Sequence, residues 1–126
     1  MNTIVCFRAG GGSYAVPVEA TVGVRSSEGV VPLPGARPDV IGLLPDENPL
    51  SVLAALGTSG AHVLVLATGT LRYGLLVDEV TQLRTFDSAD LGDAPSGQDE
   101  GIVSGMVHFG DDLVLLVDPA ALAARL

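Results

Sequence analysis

The residues that could carry chemistry are few and widely separated. Cys6, His62 and His108 are the only thiol and imidazole groups in the chain, and the two histidines stand 46 positions apart with Cys6 distant from both. Structural zinc draws its ligands in closely spaced pairs, so no metal site is expected. A free Cys inside an apolar run packs as a small hydrophobe, and each His reads as a strand residue. Gly10-Gly11-Gly12 has the glycines of a degenerate dinucleotide fingerprint, but that motif must open a helix, and Tyr14-Ala15-Val16-Pro17-Val18 follows instead. The chain has no Lys, which removes the phosphate-binding P-loop. Ser104, in Val103-Ser104-Gly105, lacks the glycine spacing and the following helix of a nucleophile elbow. Adjacent acids recur at Asp46-Glu47, Asp78-Glu79, Asp99-Glu100 and Asp111-Asp112. Neighbours on a strand face opposite ways, and none of these pairs has the spacing of a calcium loop. Asp118 before Pro119 reads as a helix cap. This inventory predicts no catalytic residue, no metal and no cofactor, and hence no enzyme.

The elements that would position such residues are short strands. Residues 3–8 and 13–18 are β-branched or aromatic runs flanking Ala9-Gly10-Gly11-Gly12, a hairpin whose turn needs positive φ. Val22-Gly23-Val24 continues the second run, Ser26 to Gly29 forms a turn, and Val30-Val31 is a short strand. Pro32, Pro34, Gly35 and Pro38 then make a stiff loop. A second set of strands begins at His62 and repeats the first. Tyr73 lies 59 positions after Tyr14, and the same offset pairs Val16 with Leu75, Val18 with Val77, Val24 with Leu83, and Arg25 with Arg84. It also pairs Ile4 to Phe7 with Val63 to Leu66, and face parity agrees throughout, as a duplicated β unit demands. The expectation is two β lobes, spanning approximately 1–57 and 60–126, within one domain covering 1–126. Tyr14 and Tyr73 should be equivalent, and Val18 and Val77 both buried. Asn48-Pro49 and Asp118-Pro119 each supply a cap followed by Pro, which predicts short helices near 49–56 and 119–125. Residues 85–101 hold five acids and no base, and are expected to form an exposed, mobile loop.

Composition narrows the function classes. With 48% hydrophobic against 17% charged residues, 126 residues suffice for an ordered core. A net charge of -9 leaves no cationic surface for nucleic acid or an anionic membrane. Apolar runs such as Leu113 to Val117 are far shorter than a membrane helix. The N-terminus has neither a basic segment nor a long apolar one, so a cytoplasmic protein is expected. Aromatic residues are 4% and Trp is absent, which disfavours an aromatic ligand cage.

Four stretches carry a family resemblance: Tyr14-Ala15-Val16-Pro17-Val18-Glu19, Pro34 to Gly42, Gly74-Leu75-Leu76-Val77-Asp78-Glu79-Val80, and Gly105-Met106-Val107 followed by Leu113 to Asp118. In order and over nearly the whole chain, the sequence resembles the CheW-like domain, the coupling module of bacterial chemotaxis. The resemblance implies a mostly β fold of two packed, five-stranded SH3-like barrels. It also implies a non-catalytic adaptor or scaffold joining methyl-accepting chemoreceptors to the regulatory domain of a CheA-like histidine kinase.

The likeness breaks after Gly42-Leu43-Leu44. There the family carries an Asn-Leu-Arg-Gly turn and a return strand, whereas this chain reads Pro45-Asp46-Glu47-Asn48-Pro49-Leu50-Ser51-Val52-Leu53. Either Leu50 to Leu53 is a truncated strand, or Asn48 caps a helix and the return strand is gone; in both cases the first barrel is partly open. The family also has Glu where this chain has Gly23, the ionic partner of the missing Arg. Joint loss of both charges implies a neutral, stable site, and because the missing turn shapes the surface on which receptor tips dock in the family, the resemblance also implies weakened receptor contact with kinase contact retained. Candidate partner-binding residues are Val22, Gly23, Val24, Leu43, Leu44, Val80 and Val103. The alternatives are a divergent CheW-like protein that lost receptor binding and serves another signalling complex, or a small β-barrel ligand-binding protein.

Overall fold

A computed structural model of the chain describes residues 1–33, 38–94 and 101–126. The first half holds β1 (Asn2–Ala9), β2 (Gly12–Pro17), β3 (Thr21–Ser26), β4 (Val31–Pro32), β5 (Val40–Leu44) and β6 (Leu50–Leu53). The second holds β7 (His62–Thr68), β8 (Leu71–Val77), β9 (Glu79–Phe86), β10 (Leu91–Gly92), β11 (Val103–Phe109), β12 (Asp112–Val117) and α1 (Pro119–Ala123). Gly10 and Gly11 turn the first hairpin with φ of 57° and 83°, the pair of left-handed residues that matches strand twist in a two-residue loop.

The strands form two six-stranded sheets, and each draws on both halves of the chain. The first sheet runs β10-β11-β12-β2-β1-β9 and the second β3-β7-β8-β6-β5-β4. Each half therefore contributes its leading hairpin to one sheet and its remaining strands to the other. The 59-residue offset appears in the ladders: Phe7 lies opposite Tyr14 as Leu66 lies opposite Tyr73, and Val5 opposite Leu83 as Leu64 lies opposite Val24. Even a β-bulge repeats, with Thr81 the extra residue on β9 and Val22 the extra residue on β3. The repeat follows the two halves of the sequence, while the lobes are assembled across them.

Strand alternation distributes the core. Val5, Phe7 and Ala9 on β1 meet Leu64 and Leu66 on β7 and Leu75 and Val77 on β8 in a central cluster between the sheets. Ile4 and Cys6 point the other way, into a smaller core shared with Phe86, Val107 and Val114. Val63 and Val65 do the same in the second lobe, beside Leu44, Leu50 and Val52. The leading hairpins thus lie back to back, buried on both faces, which is why their sequences are continuously apolar rather than alternating. Within each lobe the two edge strands are joined by a single turn, Ser27–Gly29 between β3 and β4 and Ser88–Asp90 between β9 and β10. The sheet must curl for its ends to meet, as in an SH3-like barrel, although no ladder among the described residues closes either one.

Several expectations are corrected. Residues 49–56 are not a helix: Leu50, Val52 and Leu53 are buried, and β6 runs parallel to β8 through Val52 opposite Gly74. The truncated-strand alignment holds, because a core position on a sheet outweighs the capping signal of Asn48-Pro49. Asp118 does cap α1, accepting from the Ala120 amide at 3.0 Å, and Leu122 reaches the central cluster. Val77 is buried, but Val18 is only partly so, since the chain leaves β2 in a 3-10 turn, Val18–Ala20, to cross to the other sheet. The expected acidic loop 85–101 is shorter than its sequence suggests. Thr85 and Phe86 finish β9 and Leu91–Gly92 pair with β11, and residues 95–100 lie outside the described residues.

Candidate functional site

The second lobe has an open seam. The β3 backbone forms one wall, the turn from Asp46 to Pro49 the other, and Leu71 and Arg72 on β8 one end, around a groove of about 630 Å³ with Val65 at its floor. Three apolar side chains face it while well exposed: Val22 and Val24 at 48% and Leu71 at 44%. A side chain built on Gly23 would meet nothing within 4 Å, so the face of β3 is bare between the two valines. An apolar patch at an edge strand, rimmed by charge, is the surface chemistry of a protein contact.

The rim is charged. Arg25 reaches across the seam to Asp46 at 3.5 Å, with Glu47 and Arg72 also on the rim. This corrects the expectation of a neutral site: Gly23 lies beside an acid-base pair whose base is on the strand and whose acid is on the turn.

The equivalent seam of the first lobe is smaller, at about 190 Å³, and partly filled by its own side chains. Arg84 occupies the place of Arg25, pairs with Asp112 at 3.3 Å and lies 4.7 Å from the ring centre of Phe109. Thr81, in the place of Val22, donates its hydroxyl to the Cys6 carbonyl at 3.2 Å. Burial pushes the Cys6 thiol above its ordinary range, with Arg84 opposing, which leaves a packed and poorly nucleophilic sulfur.

The residues singled out in the sequence divide between surface and core. Val22, Gly23 and Val24 share the open seam. Leu43 is half-buried on β5 opposite Ser51, and Leu44 beside it is sealed in the second lobe's core. Val80 is half-buried against the central cluster, and Val103, at 8% exposure, starts β11 opposite Val117. Sequence reasoning missed Arg25, Asp46, Leu71 and Arg72. The offset between Arg25 and Arg84 was a signal for the first of these; nothing local marked the others.

Residues 3–126 match the family model of the CheW-like domain. No curated protein matches the chain. Among solved structures, the crystal structure of the scaffolding protein TtCheW from Thermoanaerobacter tengcongensis is similar with a TM-score of 0.82, over 93% of this chain and 88% of that one, at 16% identity. Likeness at that identity speaks for the fold.

Proposed function

The chain belongs to the CheW-like domain family, and from that premise we propose that it is a non-catalytic adaptor of chemotaxis-type signal transduction. It works in the cytoplasm, holding the regulatory domain of a CheA-like histidine kinase beside methyl-accepting chemoreceptors. The observation that carries this reading is the open seam of the second lobe, where Val22, Val24 and Leu71 stay exposed between charged rims. Burying such a patch favours association, and the ion pairs around it fix register more than strength. A contact there that buries about 1,200 Å² or less would belong to the weak class that assembles and exchanges. No helix among the described residues is long and apolar enough to cross a membrane.

The test is reconstitution. Receptor-bearing membranes, a CheA-like kinase and the purified chain are combined, and autophosphorylation is followed. The expected result is kinase activity that rises with added chain and falls when the receptor's attractant is supplied. Val24→Asp, which places an unpaired charge in the seam, should lower the effect. Kinase activity independent of the chain would overturn the reading.

A further inference from the structure

The two seams are equivalent by register, so the filled one shows what the open one lacks. Arg25 lies opposite Val63 as Arg84 lies opposite Ile4, each 59 positions on, and each is paired with an Asp from the neighbouring hairpin. The hairpins differ in length. Leu44 opposite Leu50 corresponds to Val107 opposite Val114, but β11 and β12 continue for two more pairs, His108 with Leu113 and Phe109 with Asp112. In the second lobe the loop from Pro45 to Pro49 stands instead, and it carries two acids but no aromatic ring. Asp46 thus replaces Asp112, and nothing among the described residues replaces Phe109. The Arg25 side chain is correspondingly 42% exposed against 24% for Arg84. Arg72 stands where the first lobe has Ser13 and has no ion-pair partner among the described residues.

We propose that the open seam is completed in trans by an extended segment of a partner protein that lays an aromatic side chain over Arg25, as Phe109 lies over Arg84, and offers a carboxylate to Arg72. β3 is the end strand of its sheet, so its outer edge is open to strand addition, and Val22 and Leu71 receive the flanking apolar residues. A desolvated guanidinium over a ring is strong enough for the aromatic residue to dominate the contact. The proposal rests on reading the seam as the adaptor's docking surface and names the chemistry of what docks.

The experiment uses an acetylated, amidated octapeptide of alternating Thr and Val that carries one Phe and one Glu, titrated into the isotopically labelled chain. Amide resonances of Val22 to Arg25, Leu71 and Arg72 should move. Replacing Phe by Ala in the peptide, or Arg25→Ala in the chain, should weaken binding about tenfold. Gly23→Gln, which copies Gln82 of the filled seam, should block binding while leaving the melting temperature unchanged, because its side chain enters empty space. Resonances moving elsewhere, no movement at millimolar peptide, or equal affinity for the Phe and Ala peptides would each overturn the proposal. The reconstituted kinase assay does not involve the peptide. Kinase coupling without peptide binding would therefore sink only this inference, and peptide binding without coupling only the adaptor reading.

Discussion

The Tyr73 hydroxyl donates to the Pro119 carbonyl at 2.6 Å, and that bond joins the two lobes. Tyr73 lies on β8 of the second sheet, while Pro119 begins the helix that follows the last strand of the first. The helix is held at its start by the Asp118 cap and, further along, by Arg125 to Asp39 at 3.2 Å. Burial pushes the Tyr73 phenol well above its ordinary value, and the negative charge of Asp118 pushes the same way.

Tyr73→Phe should cost about 1 kcal/mol near neutral pH, the net value of one hydrogen bond. The pH dependence has a definite sign. The phenol stays protonated in the folded state and ionises from about pH 10 in the unfolded chain, so stability falls as pH rises beyond 10. The Cys6 thiol, also raised by burial, adds a fall that begins near pH 9. Urea midpoints measured from pH 8 to about 11.5 should decline for the wild type and decline less steeply for Tyr73→Phe. Parallel curves would contradict the assignment.

Gly10→Ala and Gly69→Ala separate backbone strain from steric contact. The two glycines are repeat equivalents with φ of 57° and 61°, so both variants carry the left-handed penalty of about 1 kcal/mol. A Cβ on Gly10 would also lie 2.3 Å from the Leu56 carbonyl oxygen, whereas on Gly69 it meets nothing within 4 Å. Gly10→Ala should therefore be the more destabilising by 1 kcal/mol or more, roughly, in thermal unfolding.

Leu122→Ala removes a fully buried side chain from the central cluster. The expected loss is about 2–5 kcal/mol, the range for an aliphatic truncation in a packed core. Denaturant unfolding should remain a single transition, because the cluster belongs to both lobes. Two separated transitions would show that the lobes unfold independently.

Arg84→Ala should cost about 1 kcal/mol, since it removes both the contact with Phe109 and a partly shielded ion pair. Arg25→Ala removes an exposed pair alone and should change stability by less than about 0.5 kcal/mol. Comparing the two at low and high salt checks the attribution: the small Arg25 effect should vanish with salt, and most of the Arg84 effect should persist.

The strands were legible because their chemistry is local. The β-branched and aromatic runs flanking Gly10 to Gly12 and the continuous run at Val63 to Leu66 marked the hairpins, and the offset between Tyr14 and Tyr73 anticipated the repeat. The exchange of strands between sheets was not legible, because which sheet β3 joins is decided by a 3-10 turn at Val18–Ala20 that carries no turn signature. Residues 49–56 misled for a related reason: a cap and a Pro are local features, while the burial of Leu50 and Val52 against β8 is set by residues more than twenty positions away. Of the open seam, Val22 to Val24 could be read from apolar residues flanking an exposed glycine. Asp46 and Arg72 join them only because the lobe curls.

The crossed pairing of the two halves bears on where the fold came from. Taken alone, either half would have a leading hairpin without a sheet to join and a set of strands without a hairpin to cover them. Two copies of such a unit would satisfy each other by trading hairpins, which is the arrangement of a domain-swapped homodimer. Linking the two copies through the segment 58–61 turns that dimer into one chain. It also frees each copy to diverge, so that one seam could grow a long hairpin and close on itself while the other kept a short turn and stayed available.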